Sequence, residues 1–479
     1  MAYRLNGWPE IIYLPRCLLL NWEKSIPMKT HHGIIKGIVL VGLVLVCVLV
    51  ASCVSERQYR TDAQVQQFNP KTSKDSHAII EVAPLYTAGY VELDDQGWLY
   101  GDGGRNARMQ IDTVTNQFTK EGQSNGLLIV TFVHGWKHNA SGNDSYVAMF
   151  HKILNELGKM EQVLSTKQHH PQRRVVGLYI GWRGLSENIQ PFEDLSFWGR
   201  KDAAERVGHG AVIEVLSELE AFRNQLNQKF HDEITNHRRM NTKLIIMGHS
   251  FGGDVVYSAA APVLTERMVE NYDQDGLPQP PKSLGDLVVL INPAFEAARF
   301  ETLNRLASTK SFPLSTNCTL AVFTSRADWA TGLAFPVGRS VSTLFDQYED
   351  SHQRQANLAA VGHYAPYLNY ELKPFNKNLK SPEMTSATND VSPSTSADSV
   401  LSVRSKIQQR RQRGEPTNDL AYVFTRCQLL PTTNCIPNDP VFNVAVDPAI
   451  IPDHDTIDRW VFIRFLAEFM FAFSSNGEK

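Results

Sequence analysis

Six short runs of apolar residues, none of them alternating with polar ones, govern what this chain can fold into. They are "LLIVTFV" (127–133), "VVGLYIG" (175–181), "LIIMG" (244–248), "LVVLIN" (287–292), "TLAVFT" (319–324) and "VFNVAV" (441–446). A strand with one wet face alternates, whereas a continuous apolar run fits a strand buried on both faces, the habit of parallel sheets. Helical spacing separates the runs. "SYVAMFHKILNEL" sets Val147, Phe150, Leu154 and Leu157 on one face, and "AVIEVLSELEAFRNQL" repeats its apolar residues at three and four. "DVVYSAAAPVLTERMVE" follows the third run, and "IDRWVFIRFLAEFMFAF" closes the pattern. Strands alternating with helices predict βαβ units: an α/β fold with a mostly parallel central sheet and helices on both faces. At 479 residues and 42% hydrophobic content, the chain has enough apolar surface for one large domain of this kind or two smaller ones.

Charge removes other classes. Lys and Arg number 47 against 50 Asp and Glu, for a net charge of -3, with the two signs interspersed. That balance offers no basic stripe for a nucleic acid. No C-x-x-C pair, H-E-x-x-H helix or phosphate loop ending in Lys-Ser/Thr occurs, so neither a metal nor a nucleotide cofactor is expected.

The third run ends in "GHSFGG", where Gly248-His249-Ser250-Phe251-Gly252 satisfies G-x-S-x-G. The bare pattern is common by chance, and its setting gives it meaning. An apolar run precedes it and an apolar helix follows, the strand-turn-helix context in which a serine is pushed out over a sheet edge. Glycines are needed on both sides because a side chain would clash as the backbone turns. Here the sequence resembles the α/β-hydrolase superfamily of lipases and esterases, over about residues 125 to 473. The resemblance implies an α/β-hydrolase fold and makes Ser250 the nucleophile. His249, adjacent on a tight turn, points its side chain elsewhere and is read as a packing residue.

The remaining site residues follow from that resemblance. "VTFVHGWKHN" supplies the strand-end loop for an oxyanion hole, with backbone donors at Phe251 and at Trp136 or Gly135. His134 at that strand end also has a plain reading, as a hydrogen-bonded structural histidine. The superfamily's order of serine, acid, histidine nominates Asp328 in "TLAVFTSRADWATG", with Glu296 in "INPAFEAAR" as the alternative acid. His454, past the last strand and before the terminal helix, is the expected base, and His363 in "AAVGHYAPYL" is its rival. Trp136, Phe192, Phe197, Trp198, Trp329 and Phe335 are the aromatics expected near the pocket rim, although aromatics also serve as ordinary core.

The front of the chain is distinctive. After Met28, Lys29 and Lys36 precede an uninterrupted apolar stretch from Gly37 to Ala51, then Ser52 and Cys53. The stretch is shorter than the ~20 residues of a spanning helix and suits a signal-peptide core. Val50-Ala51-Ser52-Cys53 resembles a bacterial lipobox, which implies that Cys53 carries lipid, with an uncleaved signal anchor as the other reading. Translation is expected to begin at Met28. Processing at Cys53 would leave Cys318, Cys427 and Cys435. Across "CQLLPTTNC", Cys427 and Cys435 are spaced for either a small disulfide or two unpaired thiols.

The expected organisation has five parts. Residues 1–52 are a signal region, and 53–124 a lipid-anchored tether with a small β-rich extension. Residues 125–372 form the hydrolase core. Residues 373–420, rich in Ser, Thr, Pro and charge, form a long and mostly mobile insertion before the last strand. Residues 421–479 bring that strand, the histidine loop and the final helix. The function expected is a lipid-anchored serine hydrolase of carboxylic esters, small or lipidic, at the bacterial envelope. Two other readings stand beside it: an acyltransferase on the same fold, and a catalytically silent binding lipoprotein.

Overall fold

The computed structural model describes residues 57–101, 106–184, 197–232, 240–375 and 392–474. The signal region, Cys53, Phe192 and the side chains of Phe197 and Trp198 lie outside what is described.

The described part begins with β1 (Asp62–Gln67), β2 (Ala78–Val82), β3 (Tyr86–Glu92) and helix α1 (Met109–Gly122). Alternating units follow: β4 (Leu127–Val133), α2 (Ser145–Gln168), β5 (Arg174–Gly181), α3 (Phe197–Gly208) and α4 (Ala211–Asp232). Then come β6 (Lys243–His249), α5 (Phe251–Val269), β7 (Leu287–Ile291), α6 (Ala297–Thr309) and β8 (Leu320–Ser325). After β8 stand α7 (Phe335–Ser342), α8 (Ser351–Leu358), β9 (Tyr370–Pro374), α9 (Pro393–Gln412), β10 (Tyr422–Val423) and β11 (Cys427–Pro431). The last units are β12 (Val441–Val446) and α10 (Trp460–Phe473). No helix among the described residues is long and apolar enough to cross a membrane.

Among the described residues, all twelve strands join one sheet, in the order β1-β2-β3-β5-β4-β6-β7-β8-β12-β9-β11-β10. From β3 to β9 every neighbouring pair is parallel. This is the mostly parallel α/β sheet with helices on both faces that the apolar runs predict, with a long insertion before β12. Alternate residues of one strand feed opposite faces. Val130 and Phe132 pack on the side of α2, α9 and α10, whereas Ile129 and Val133 pack on the side of α1, α5 and α6. Both faces are covered, so the strands carry no wet register, which explains their unbroken apolarity.

Two sequence expectations change. The segment before residue 125 is not a separate extension, because β3 pairs in parallel with β5 along its whole length. Arg60 anchors it. This fully buried residue pairs with Glu81 at 3.2 Å and donates from Nε to the Ala140 carbonyl at 2.7 Å. Burial would raise the Glu81 carboxyl, but hydrogen bonding from His151 and the charge of Arg60 outweigh it and hold the group at about 2.

The second change concerns 373–420. Residues 376–391 lie outside the described chain, but β9 straddles the expected boundary and Pro393–Gln412 is a helix. The Ser392 side chain caps that helix by accepting from the Thr395 N–H, and Pro393 occupies its first turn. Ala397, Val400, Val403 and Ile407 are buried at helical spacing. Arg464 on α10 donates to Ser396 Oγ at 2.8 Å, and Arg404 to the Phe471 carbonyl at 2.7 Å. A composition poor in large apolar residues still forms an ordered helix when those it has fall on one face.

Of the two readings of the cysteine spacing, the structure has the unpaired thiols. Cys318, Cys427 and Cys435 are all free thiols. Cys427 is buried within β11, while Cys435 lies in the following loop and donates to the Asn418 carbonyl at 2.9 Å.

Candidate active site

The carboxyl ends of the parallel strands share one edge of the sheet, where open α/β folds gather their functional loops. Strand β6 leads straight into Ser250. Its φ of 56° and ψ of -123° are sparsely populated for a residue with a side chain. Such a conformation costs about 1–3 kcal/mol and persists only where the surroundings enforce it. The flanking glycines are part of that enforcement. A Cβ at Gly248 would lie 2.3 Å from the Gly252 carbonyl oxygen, and one at Gly252 would lie 2.1 Å from that of Val133.

The turn aims Ser250 Oγ at His454 Nε2, 2.7 Å away. The same imidazole meets Asp328 Oδ2 through Nδ1 at 2.9 Å. This geometry fits the tautomer with its proton on Nδ1, leaving Nε2 to accept from the serine hydroxyl. The three groups come from distant parts of the chain. Asp328 closes the turn after β8, and His454 sits between β12 and α10. In-register parallel pairing of β8 with β12 brings both loops to one level. All three residues are buried, with relative exposures of 4% for Ser250, 2% for Asp328 and 8% for His454.

Electrostatics follow from that burial. Burial alone would lower the His454 pKa, but the Asp328 charge and hydrogen bond, with Asp455 and Asp453, outweigh it and raise the pKa. For Asp328, burial pushes upward, yet His454 and Thr331 together hold the carboxyl below its ordinary range. Asp328 therefore stays ionised while His454 holds a proton more readily than a free histidine.

Several supporting residues had no signal in the G-x-S-x-G pattern. Thr331 donates its hydroxyl to Asp328 Oδ2, and its backbone N–H to Oδ1 at 3.1 Å. Asn292, at the end of β7 with φ 43°, donates from Nδ2 to the His454 carbonyl at 2.8 Å and accepts from the Ser325 N–H at 2.9 Å. His249 is buried and does more than pack, since its Nε2 donates to the same His454 carbonyl at 2.9 Å. Burial and the neighbouring His454 drive the His249 pKa well below the ordinary value, so it acts as a neutral donor. An Asn directly after an apolar strand was the one readable hint, because Asn tolerates positive φ better than other side-chain-bearing residues.

The expected oxyanion loop lies against the serine. A Cβ on Gly135 would come within 2.8 Å of Ser250 Cβ, so this backbone approaches as closely as only glycine permits. Phe251, directly behind Ser250, opens α5, where backbone N–H groups point out of the helix end. His134 is structural. Its Nε2 accepts from the Trp182 N–H at 3.0 Å and its Nδ1 meets the Gly135 carbonyl at 2.9 Å, while burial pulls its pKa down to about 4.

The two alternative residues stand apart from the serine. Glu296 is engaged by Lys201 at 3.1 Å and Arg339 at 3.0 Å, an ion-pair cluster beside α6 that leaves it no role as partner of His454. His363 reaches the site only indirectly, since its Nε2 meets Thr331 Oγ1 at 3.0 Å. Of the aromatics expected at the rim, Phe335 is core, Trp136 is partly buried and Trp329 is exposed. His249, His454 and Asp455 offer ligand atoms within 4.8 Å of one another. His454 uses both ring nitrogens on Ser250 and Asp328, and His249 uses Nε2 on a carbonyl, so the set is built for hydrogen bonding.

The fold and this edge define an α/β scaffold, with a mostly parallel sheet, that carries a Ser-His-Asp arrangement. No protein-family profile matches the chain, and no curated protein does. Among solved structures, the chain is similar to phospholipase PlaB from Legionella pneumophila in complex with thio-NAD, at 14% identity and a TM-score of 0.19. That match covers 53% of this chain and 47% of the phospholipase, so the chain spans about half the phospholipase's length. A Trichoderma reesei cutinase in complex with a phosphonate inhibitor matches at 14% identity and a TM-score of 0.16, over 44% of this chain and 71% of the cutinase.

Proposed function

We propose that this protein is a serine hydrolase of carboxylic esters, working through Ser250, His454 and Asp328. The observation that carries the reading is the 2.7 Å contact of His454 Nε2 with Ser250 Oγ, backed by the 2.9 Å contact of Nδ1 with Asp328. Ser250 Oγ attacks the acyl carbonyl carbon as its proton passes to His454 Nε2. Asp328 orients the ring and stabilises the imidazolium. The Phe251 amide, with that of Trp136 or Gly135, holds the oxyanion. His454 then protonates the departing alkoxide oxygen, leaving an acyl-serine. A water gives one proton to His454 and adds at the acyl carbon. Collapse frees the carboxylic acid and returns that proton to Ser250.

The sequence supports placement at a bacterial envelope, with Cys53 as the lipid-bearing residue. Labelling by a fluorophosphonate probe, mapped by mass spectrometry, tests the chemistry. Adduct formation at Ser250, absent in Ser250→Ala, is the expected result. A folded, accessible chain that fails to label would favour the silent binding protein. Product analysis with and without an alcohol acceptor separates hydrolysis from acyl transfer. Incorporation of radiolabelled palmitate that survives Cys53→Ser would remove the anchor from the reading.

A further inference from the structure

Directly after Asp328 the chain forms a π-helical turn, Ala330–Ala334, that runs on into α7. Its inner side is conventional, with Thr331 and Phe335 buried. Its outer side carries Trp329, Leu333, Val337 and Val341 at intervals of four, followed by Leu344 and Phe345. These six are 64, 66, 59, 74, 71 and 93% exposed. A lone exposed leucine means little, but monomeric soluble proteins rarely show a contiguous apolar patch beyond a few hundred Å².

The chain's own course names the occupant. Arg57, the first described residue, lies with Tyr59 in a pocket lined by Lys137, His138 and Asn139, immediately after the Gly135–Trp136 loop. The Tyr59 N–H is fixed there on the Glu92 carboxylate at 2.9 Å. Cys53, the proposed lipid-bearing residue, precedes this point, and the four Cα-to-Cα steps from 53 to 57 reach at most about 14 Å. Under the proposed lipid anchor, the membrane tether therefore attaches next to Arg57, at the edge of the sheet that carries Ser250 and the apolar stripe. Asp346, Glu349 and Asp350 flank the stripe, so attraction to anionic headgroups does not drive the contact.

We infer that the Trp329–Phe345 stripe docks into a phospholipid bilayer and sets the Ser250 edge against the membrane surface. Apolar burial supplies the contact, as for an interfacial amphipathic helix. The docking deepens the ester-hydrolase reading by making bilayer-embedded esters the substrate class, and it is tested apart from turnover.

The test is hydroxyl-radical footprinting of the full chain held in phosphatidylcholine liposomes, with Tyr272 as internal reference. Tyr272 is 51% exposed and follows α5 at the opposite edge of the sheet. Trp329 oxidation at least tenfold slower than that of Tyr272, after correction for intrinsic reactivity, is the expected result. The triple variant Leu333→Glu, Val337→Glu, Val341→Glu should abolish that protection. It should also lose at least tenfold in turnover of a bilayer ester while leaving a water-soluble short ester unaffected. Equal oxidation of Trp329 and Tyr272 overturns the docking, whatever the turnover. Protection that vanishes when chains are diluted to fewer than one per vesicle assigns the stripe to a second copy and also overturns it. Protection without hydrolysis of either ester supports the docking and sinks the hydrolase reading alone.

Discussion

The side-chain amide of Asn292 donates to the backbone carbonyl of His454 at 2.8 Å, so the end of β7 holds the loop that presents the base. His249 grips the same carbonyl from the nucleophile's own strand at 2.9 Å. Two neighbouring strand ends therefore fix one backbone atom next to the reacting imidazole. Removing Asn292 by Asn292→Ala should lower kcat by roughly 10²-fold, the cost of a displacement near 1 Å, with KM little changed. Fluorophosphonate labelling of Ser250 should slow in parallel. Wild-type kcat in a folded Asn292→Ala would mean that His249 alone suffices.

Ser250→Ala, His454→Ala and Asp328→Asn should each cost about 10⁴-fold or more in ester turnover, and double variants should be little worse than single ones. Steady-state kinetics on purified, folded variants check this. An active His454→Ala together with an inert His363→Ala would move the base to His363.

The raised pKa of His454 fixes the sign of the pH dependence. The imidazole must be neutral to take the serine proton, so kcat/KM should fall as pH drops, with a midpoint above 6.5. Residual activity of Asp328→Asn should show that limb displaced to lower pH, because the anion that raises the pKa is gone. Stability runs the other way. Protonated His454 stabilises the folded chain fully below 6.5, and that contribution disappears as pH rises through the raised value. Comparing thermal melts of wild type and His454→Gln across this window isolates it.

Glu296 has a structural rather than a chemical part. Glu296→Ala takes the carboxylate from Arg339 and leaves Lys201 with Glu205 alone, and should cost about 3 kcal/mol of stability. Turnover per folded molecule should stay near wild type. Chemical denaturation paired with active-site titration separates the two, and selective loss of turnover would restore Glu296 as the acid.

Alkylation of the denatured, unreduced protein should modify Cys318, Cys427 and Cys435 alike. A peptide pair linking Cys427 to Cys435 in the resulting digest would contradict the geometry.

Much of the sheet was legible because buried strands announce themselves as unbroken apolar runs, and all six runs are strands of the parallel block. The glycines around Ser250 were equally readable, since close backbone approach leaves no other residue type. What escaped was anything composition conceals. Helix α9 has the composition of low-complexity chain, and only the shared face of Ala397, Val400, Val403 and Ile407 sets it apart. Strands β1 to β3 were read as appended because pairing partners distant in sequence leave no local mark. Asn292 and Thr331 are ordinary polar residues whose roles exist only once β7, β8 and β12 lie side by side.

Ser250 and His454 are separated by 204 residues, and His454 lies beyond the last strand of the sheet. A ribosome that has released the serine, its glycines and even the acid has still made nothing capable of acyl chemistry. The strained turn gains its base only when β12 slots in beside β8 and the histidine loop is drawn over the sheet edge. If the proposed chemistry holds, acyl-transfer competence is a certificate of completed folding. On the proposed reading, a chain clipped before His454 would carry the strained serine without its base and would stay inert toward esters, with no separate inhibitor needed.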